Sequence, residues 1–314
     1  MMQMRELPRL TWSNALIPHF TWASIVLLLG LNAYILATRR VARLGRGPWP
    51  RTRTYSALAA TVALWLATNS IVGAYDMTLF SMHMVQHLLI VMVGAGFVAG
   101  AAPVDLVRDA TSGHLHTVVE RVVHSPLGTF LDHPVVGFVA YAVMIPAFHL
   151  SSLFDVAMRS GATHAAEEVM FLVVGYFFWR PVVGVERTRH RLAPGLRIIY
   201  LLLSVPVDTF TGLALMSTTQ VDQFRSFATG NRPWGPTVLE DVHQGAAIMW
   251  IFGDLIMMGA MIPAALAWVR EDRQHAAAVD AVLDAGATLE EPPSAWLPRQ
   301  RAVFPTAPPP PKNP

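Results

Sequence analysis

Residues 79–101 read LFSMHMVQHLLIVMVGAGFVAGA, with no Asp, Glu, Lys or Arg among them. A helix rises about 1.5 Å per residue, so about 20 apolar residues match the hydrocarbon core of a bilayer. This stretch reaches that length, and the rest of the chain repeats it. Further apolar stretches lie at Pro18–Thr38, Tyr55–Tyr75, Pro134–Phe154, His164–Val183, Leu196–Thr218 and Val242–Val269. The expected fold is an all-α integral membrane protein, a seven-transmembrane-helix bundle over residues 18–270. Residues 1–17 form a tail before it and residues 271–314 a tail after it.

Composition agrees. The 314 residues are 53% hydrophobic and 14% charged, against about 25% charged in soluble domains. So little charge cannot solvate a large soluble core. The net charge is +2, and Lys312 is the only lysine. The basic residues are arginines gathered in short loops, a pattern that suits membrane topology and gives no case for nucleic acid. The absence of cysteine excludes disulfides and thiolate metal sites, so any metal must be held by His, Met, Asp or Glu. The N-terminal MMQMRELPRLTWSN has no apolar run with a small-residue cleavage site, and no cleaved signal peptide is expected.

Orientation follows from the arginines. The first loop carries Arg39, Arg40, Arg43, Arg46, Arg51 and Arg53, and the fifth region Arg180, Arg187, Arg189, Arg191 and Arg197. Loops two, four and six hold only Arg159, Arg225 and Arg232. The odd loops and C-terminus are therefore expected in the cytoplasm, with the N-terminus outside. In the long third loop Leu115, Val118, Val119, Val122 and Val123 recur at helical spacing, opposite His116, Glu120 and Arg121. Residues 114–124 thus read either as a helix on the membrane surface or as an ordinary packed loop helix. The tail from 271 begins charged and Ala-rich and ends PTAPPPPKNP, a largely disordered extension.

The histidines carry the functional information. His83 and His87 are spaced i, i+4 near the outer end of the third stretch, so both rings share one helix face and can reach one ion. His149 lies near the outer end of the fourth stretch. His164 opens the fifth, with Glu167 and Glu168 on the next turn, Asp241 and His243 open the seventh, and His19 is near the outer end of the first. By helix rise these six histidines lie within roughly 12 Å of the outer boundary. Intramembrane polar groups are costly unless they face the bundle interior and find partners. A single such His is most often a hydrogen-bonded strut, but several helices delivering His to one depth favour a metal. The expected ligands are His83, His87, His149, His164, Glu168 and His243. Nearby Met77, Met82 and Met84 add thioethers, which suits copper, with Cu(I) favoured, while zinc accepts the same His and carboxylates. Deeper in the membrane, Asp208 and Asp254 are expected to pair and fix the sixth helix against the seventh.

Several blocks in order, RGPWPRTR, SMHMVQHLL, GAAPVDL, IPAFHLSSLFDVAM, HAAEEVMFLVVGYFFWRPVVG and LEDVHQGAAIMW, cover about residues 33–273. In combination they resemble the CtaG family of seven-span assembly factors for caa-type cytochrome c oxidase. The family's prominent histidines match His83, His87, His149 and His164. The chain departs from the family at Glu168, where a second His is usual, at His243, where Gln is usual, and at Asp208, where Gln or His is common. The resemblance implies a non-catalytic role in the respiratory chain, handling copper for oxidase metal centres at the outer face. Its implied partners are oxidase subunits and the lipid bilayer, with room for a copper donor protein. Three other readings stay open: a copper transporter or copper-resistance membrane protein, a metal-free scaffold for oxidase subunits, and a haem b electron carrier. Haem ranks last, because the histidines gather near one face and form no second, inner layer.

Overall fold

A computed structural model describes residues 20–220, 224–228 and 234–284. His19, the 1–17 tail and the Pro-rich end of the chain lie outside the described residues. Among the described residues the long helices are α1 Trp22–Arg43, α2 Arg51–Asn69, α3 over 80–101, α4 Pro134–His149, α5 Gly161–Val183, α6 Pro194–Met216 and α7 Val238–Asp284. Each coincides with one expected stretch. Five helical runs are long and apolar enough to cross a membrane: Trp22–Arg43, Arg51–Tyr75, Phe80–Ala110, Pro194–Met216 and Val238–Ala281. α4 is apolar but shorter, and α5 carries His164, Glu167, Glu168 and Arg180 within an otherwise apolar run.

The bundle is inverted relative to a soluble domain at its rim. On α1, Leu28, Leu29 and Leu36 are exposed, and on α6 and α7 so are Leu202, Phe210, Leu255 and Ile262, as lipid-facing helices require. The interior is a continuous apolar core around Tyr141, Ile90, Phe171, Phe178, Leu201 and Met257. Close helix approach depends on glycine at two points. A Cβ on Gly137 of α4 would lie 2.4 Å from the Phe177 carbonyl oxygen of α5, and one on Gly175 of α5 would lie 2.8 Å from both Ala95 Cβ and the Val91 oxygen of α3.

α3 is not a uniform helix. It runs as α-helix over Phe80–His87, widens to a π-turn over Leu88–Gly94 and returns to α-helix over Ala95–Ala101. The Ala95 N–H donates to the Ile90 carbonyl, five residues back. The Val91 carbonyl accepts instead from the Trp179 indole N–H at 2.9 Å, which ties α3 to α5. π-turns inside helices are rare and frequent at functional sites. The start of α3 is fixed from α7: Asp241 accepts from Phe80 N at 2.8 Å and from Ser81 Oγ at 2.6 Å.

The end of the bundle holding the first, third and fifth loops is dense with ion pairs. Asp105 binds Arg53 at 3.3 Å and Arg187 at 3.0 Å, while Arg180 reaches Asp132 at 2.7 Å and pairs with Glu186. The third-loop segment expected to be helical is a helix, Gly113–Val123. Its His116 and Glu120 turn inward to Arg108, and Leu115 and Val122 are exposed. The Arg108 hydrogen bond holds the Glu120 carboxyl below its ordinary pKa.

Three expectations are corrected. α7 runs past the expected end of the bundle at residue 270 and continues to Asp284: from Arg270 to Asp284 the sequence has no Gly or Pro to stop it. α4 stops at His149, and Leu153–Ala157 is a separate short helix. Asp208 and Asp254 do not bond each other. Asp208 accepts from the Tyr141 hydroxyl of α4 at 2.7 Å, and Asp254 from Thr209 of α6 at 2.8 Å. A tyrosine or threonine hydroxyl can donate to a carboxylate, whereas two carboxylates bond only through a shared proton.

Candidate metal centre

His83 and His87 occupy consecutive turns of α3, and their Nε2 atoms are 2.6 Å apart. Glu167 of α5 faces both, its Oε1 lying 3.8 Å from His83 Nε2 and 3.6 Å from His87 Nε2. All three side chains are buried. Aromatic rings hold the imidazoles in place: Phe171 stacks on His87 with centroids 4.1 Å apart, and Phe154 meets His83 edge-on at 5.2 Å.

Two more histidines border this trio. The His149 ring, at the end of α4, is 5.6 Å from that of His87. His149 Nδ1 donates to the Ile145 carbonyl at 2.7 Å, which leaves Nε2 as the lone-pair nitrogen with no hydrogen-bond partner. A metal-binding imidazole is oriented in the same way, by a hydrogen bond from its other nitrogen. The His164 ring of α5 is 5.3 Å from His83, with its Nδ1 at 3.9 Å from Asp76 Oδ2 and its Nε2 unpartnered.

Beside the trio lies a second group, Asp76, His164 and Glu168, one ligand atom from each within 4.8 Å of the others. Asp76 sits in the connector before α3. Gln86 of α3 joins it to α5, its Nε2 donating to Asp76 Oδ2 at 2.6 Å and to Glu168 Oε1 at 2.7 Å.

Nine buried side-chain nitrogen or oxygen atoms among the described residues have no hydrogen-bond partner, and seven belong to His83, Gln86, His87, His149, His164 and Glu167. Both carboxylate oxygens of Glu167 are among them. Native interiors leave only a few such atoms, each costing about 1–3 kcal/mol. They concentrate where α3, α4 and α5 meet; an ion on the Nε2 atoms of His83 and His87 would partner the Glu167 carboxylate, while the unpartnered nitrogen of each of those two rings is the opposite one, Nδ1. Two ligands about 2.1 Å from a tetrahedral ion are separated by about 3.4 Å. The Glu167 distances lie close to that spacing, whereas the His83–His87 pair is closer and must open by less than about 1 Å. The donors are imidazole and carboxylate. Met84 packs into the apolar cluster of Phe80, Phe154 and Leu215, and Met77 is exposed.

Of the residues singled out in the sequence, His83, His87, His149 and His164 come together, and Glu168 falls in the adjoining group. His243 stands apart: its Nε2 donates to the Thr218 carbonyl at 3.0 Å. Glu167, Asp76 and Gln86 were not predicted as site residues. Glu167 was legible in part, three residues after His164 and so on the same face of α5. Asp76 carried no signal, being brought in by a connector.

The family model described as cytochrome c oxidase caa3 assembly factor (Caa3_CtaG) matches residues 32–271. Among curated proteins, the chain is similar to an uncharacterized protein of Mycobacterium bovis, Mb0105, at 29% identity over 266 residues, covering 82% of this chain and 40% of that protein. It is similar also to the uncharacterized protein ML1998 of Mycobacterium leprae, at 30% identity over 261 residues, covering 81% and 39%. The chain thus spans about two fifths of the length of the curated relatives it matches. No solved structure matches it. With the family model covering most of the helical bundle and all of both polar groups, the chain belongs to the cytochrome c oxidase caa3 assembly factor family.

Proposed function

We propose that this chain assists oxidase assembly by binding copper at His83, His87 and Glu167, with His149 and His164 alongside, and releasing it to an oxidase subunit. In this reading the chain crosses a bacterial plasma membrane seven times with the N-terminus outside, so that the group lies near the outer face. It acts by binding and delivery rather than by catalysis. The observation that supports it most is the gathering of unpartnered imidazole and carboxylate atoms from three helices, seven of the nine such atoms among the described residues lying in this region. His83, His87 and Glu167 would hold the ion, and Phe154 and Phe171 keep the imidazoles from turning away. An imidazole–carboxylate set accepts Cu(II) and Zn(II) as well as Cu(I).

The test is a conservative substitution read by metal content. Gln keeps a hydrogen-bonding side chain of similar reach but is a poor copper ligand. His83→Gln and His87→Gln should each reach normal abundance and bind copper at least tenfold more weakly. Oxidase in such cells should accumulate with haem present and copper deficient, and added copper should restore it in part. If both variants bind copper like the parent and support full oxidase activity, these residues are packing groups. Stoichiometric zinc with no copper in the purified parent would replace the metal assigned.

A further inference from the structure

The two ends of the bundle treat buried carboxylates differently. At the end holding the odd loops, Asp105, Asp132 and Glu186 are each buried or nearly so and each carries an arginine. At the other end Asp76 and Glu167 are 6% and 3% exposed and Glu168 is half-buried, and among the described residues no Arg or Lys pairs with any of them. Their contacts are to His83, His87, His164 and the Gln86 amide, and Asp76 Oδ1 also accepts from the Met77 backbone N–H at 2.6 Å. A buried carboxylate without a positive partner costs several kcal/mol and is found with a counter-ion, a metal or a proton.

One cation does not account for all of them. Glu167 turns to His83 and His87, whereas Asp76 and Glu168 converge on His164 and are held at their spacing by the same Gln86 nitrogen. The carbonyl oxygen of that amide, fully buried, has no partner, and neither has His164 Nε2. We propose that Asp76, His164 and Glu168 form a second cation subsite, separate from the His83–His87–Glu167 group, that takes a divalent transition-metal ion in an oxygen-rich shell. Two carboxylates and one imidazole suit such an ion better than Cu(I). The His164 ring lies against His83, so the oxygen-rich subsite adjoins the imidazole-rich one and can receive the ion first. This subsite rests on the metal-handling reading above.

Stoichiometry separates the two ideas. The purified full chain in detergent, equilibrated with excess Cu2+ and freed of unbound metal, should retain two copper ions per chain. Asp76→Asn and Glu168→Gln should each retain one, at normal abundance and helix content, and adding His87→Gln should remove that one. In the doubly loaded parent the Cu(II) paramagnetic resonance should show dipolar broadening that the one-copper variants lack. One copper in the parent, weakened by Asp76→Asn, makes Asp76 a positioning group for a single centre and overturns the second subsite while leaving copper binding intact. Two coppers retained in both variants, or two magnetically isolated signals, also overturn it. No copper in the parent removes both proposals together.

Discussion

Successive residues on a helix project about 100° apart, and Glu167 and Glu168 accordingly serve different groups: the first reaches His83 and His87, the second Gln86 and the Asp76 group. Glu167→Gln should therefore weaken the copper site at His83 and His87 tenfold or more, as loss of a charged donor does. Glu168→Gln should change that site by less than about threefold and lose only the second ion. Competition with a chromophoric copper chelator measures both, and equal effects of the two substitutions would show a single merged centre. The histidines were legible in the sequence because i, i+4 spacing and depth along a helix are one-dimensional properties. The choice between adjacent carboxylates was not, since it depends on how α5 is rotated about its axis, and packing sets that. The same limit explains His243. Its place at the start of α7 is visible in the sequence, but its ring turns to the Thr218 carbonyl.

At the scale of the element, hydropathy located all seven long helices among the described residues but gave neither their ends nor their interruptions. The π-turn of α3 follows directly after His87 within a run of Leu, Ile, Val and Met that carries no Gly or Pro before Gly94. It answers a partner in another helix, the Trp179 indole, and no local signal encodes that. The cap on α3 likewise comes from Asp241, far away in sequence. Helix contact makes a further prediction, in which the sign depends on the neighbour. Gly30 of α1 faces open space, so Gly30→Ala removes only backbone freedom and should raise stability by up to about 1 kcal/mol. Gly137 of α4 meets the Phe177 backbone, which cannot swing aside as a side chain can, so Gly137→Ala should cost about 1–3 kcal/mol despite the same gain in propensity. Thermal unfolding in detergent should move the midpoint up for the first and down for the second. Equal shifts would mean that α4 and α5 separate easily.

For the whole molecule, the arginine-rich loops and the polar groups divide the bundle into two chemically distinct ends. Arg53 from the first loop and Arg187 from the fifth meet on Asp105 in the third, so these loops share one end. The buried ion pairs there also show that some loop arginines are neutralised locally, and only the remainder of the positive charge is free to set orientation. Arg39, Arg43, Arg51 and Arg191 are exposed and supply that remainder. The chain contains no cysteine, so a single introduced thiol is an unambiguous reporter. Thr52, in the first turn of α2 next to the first loop, and Arg159, in the fourth loop, are both exposed and lie on opposite sides of the proposed membrane. With a membrane-impermeant maleimide on intact cells, Arg159→Cys should label and Thr52→Cys should label only after lysis. The reverse pattern would place His83, His87 and Glu167 near the cytoplasmic face, where copper delivery to an outer oxidase centre is sterically excluded. Labelling of both sites in intact cells would instead mean that the helices between them cross the membrane an even number of times. Of the three long helices between Thr52 and Arg159, the short α4 would then be lining the group without spanning the bilayer.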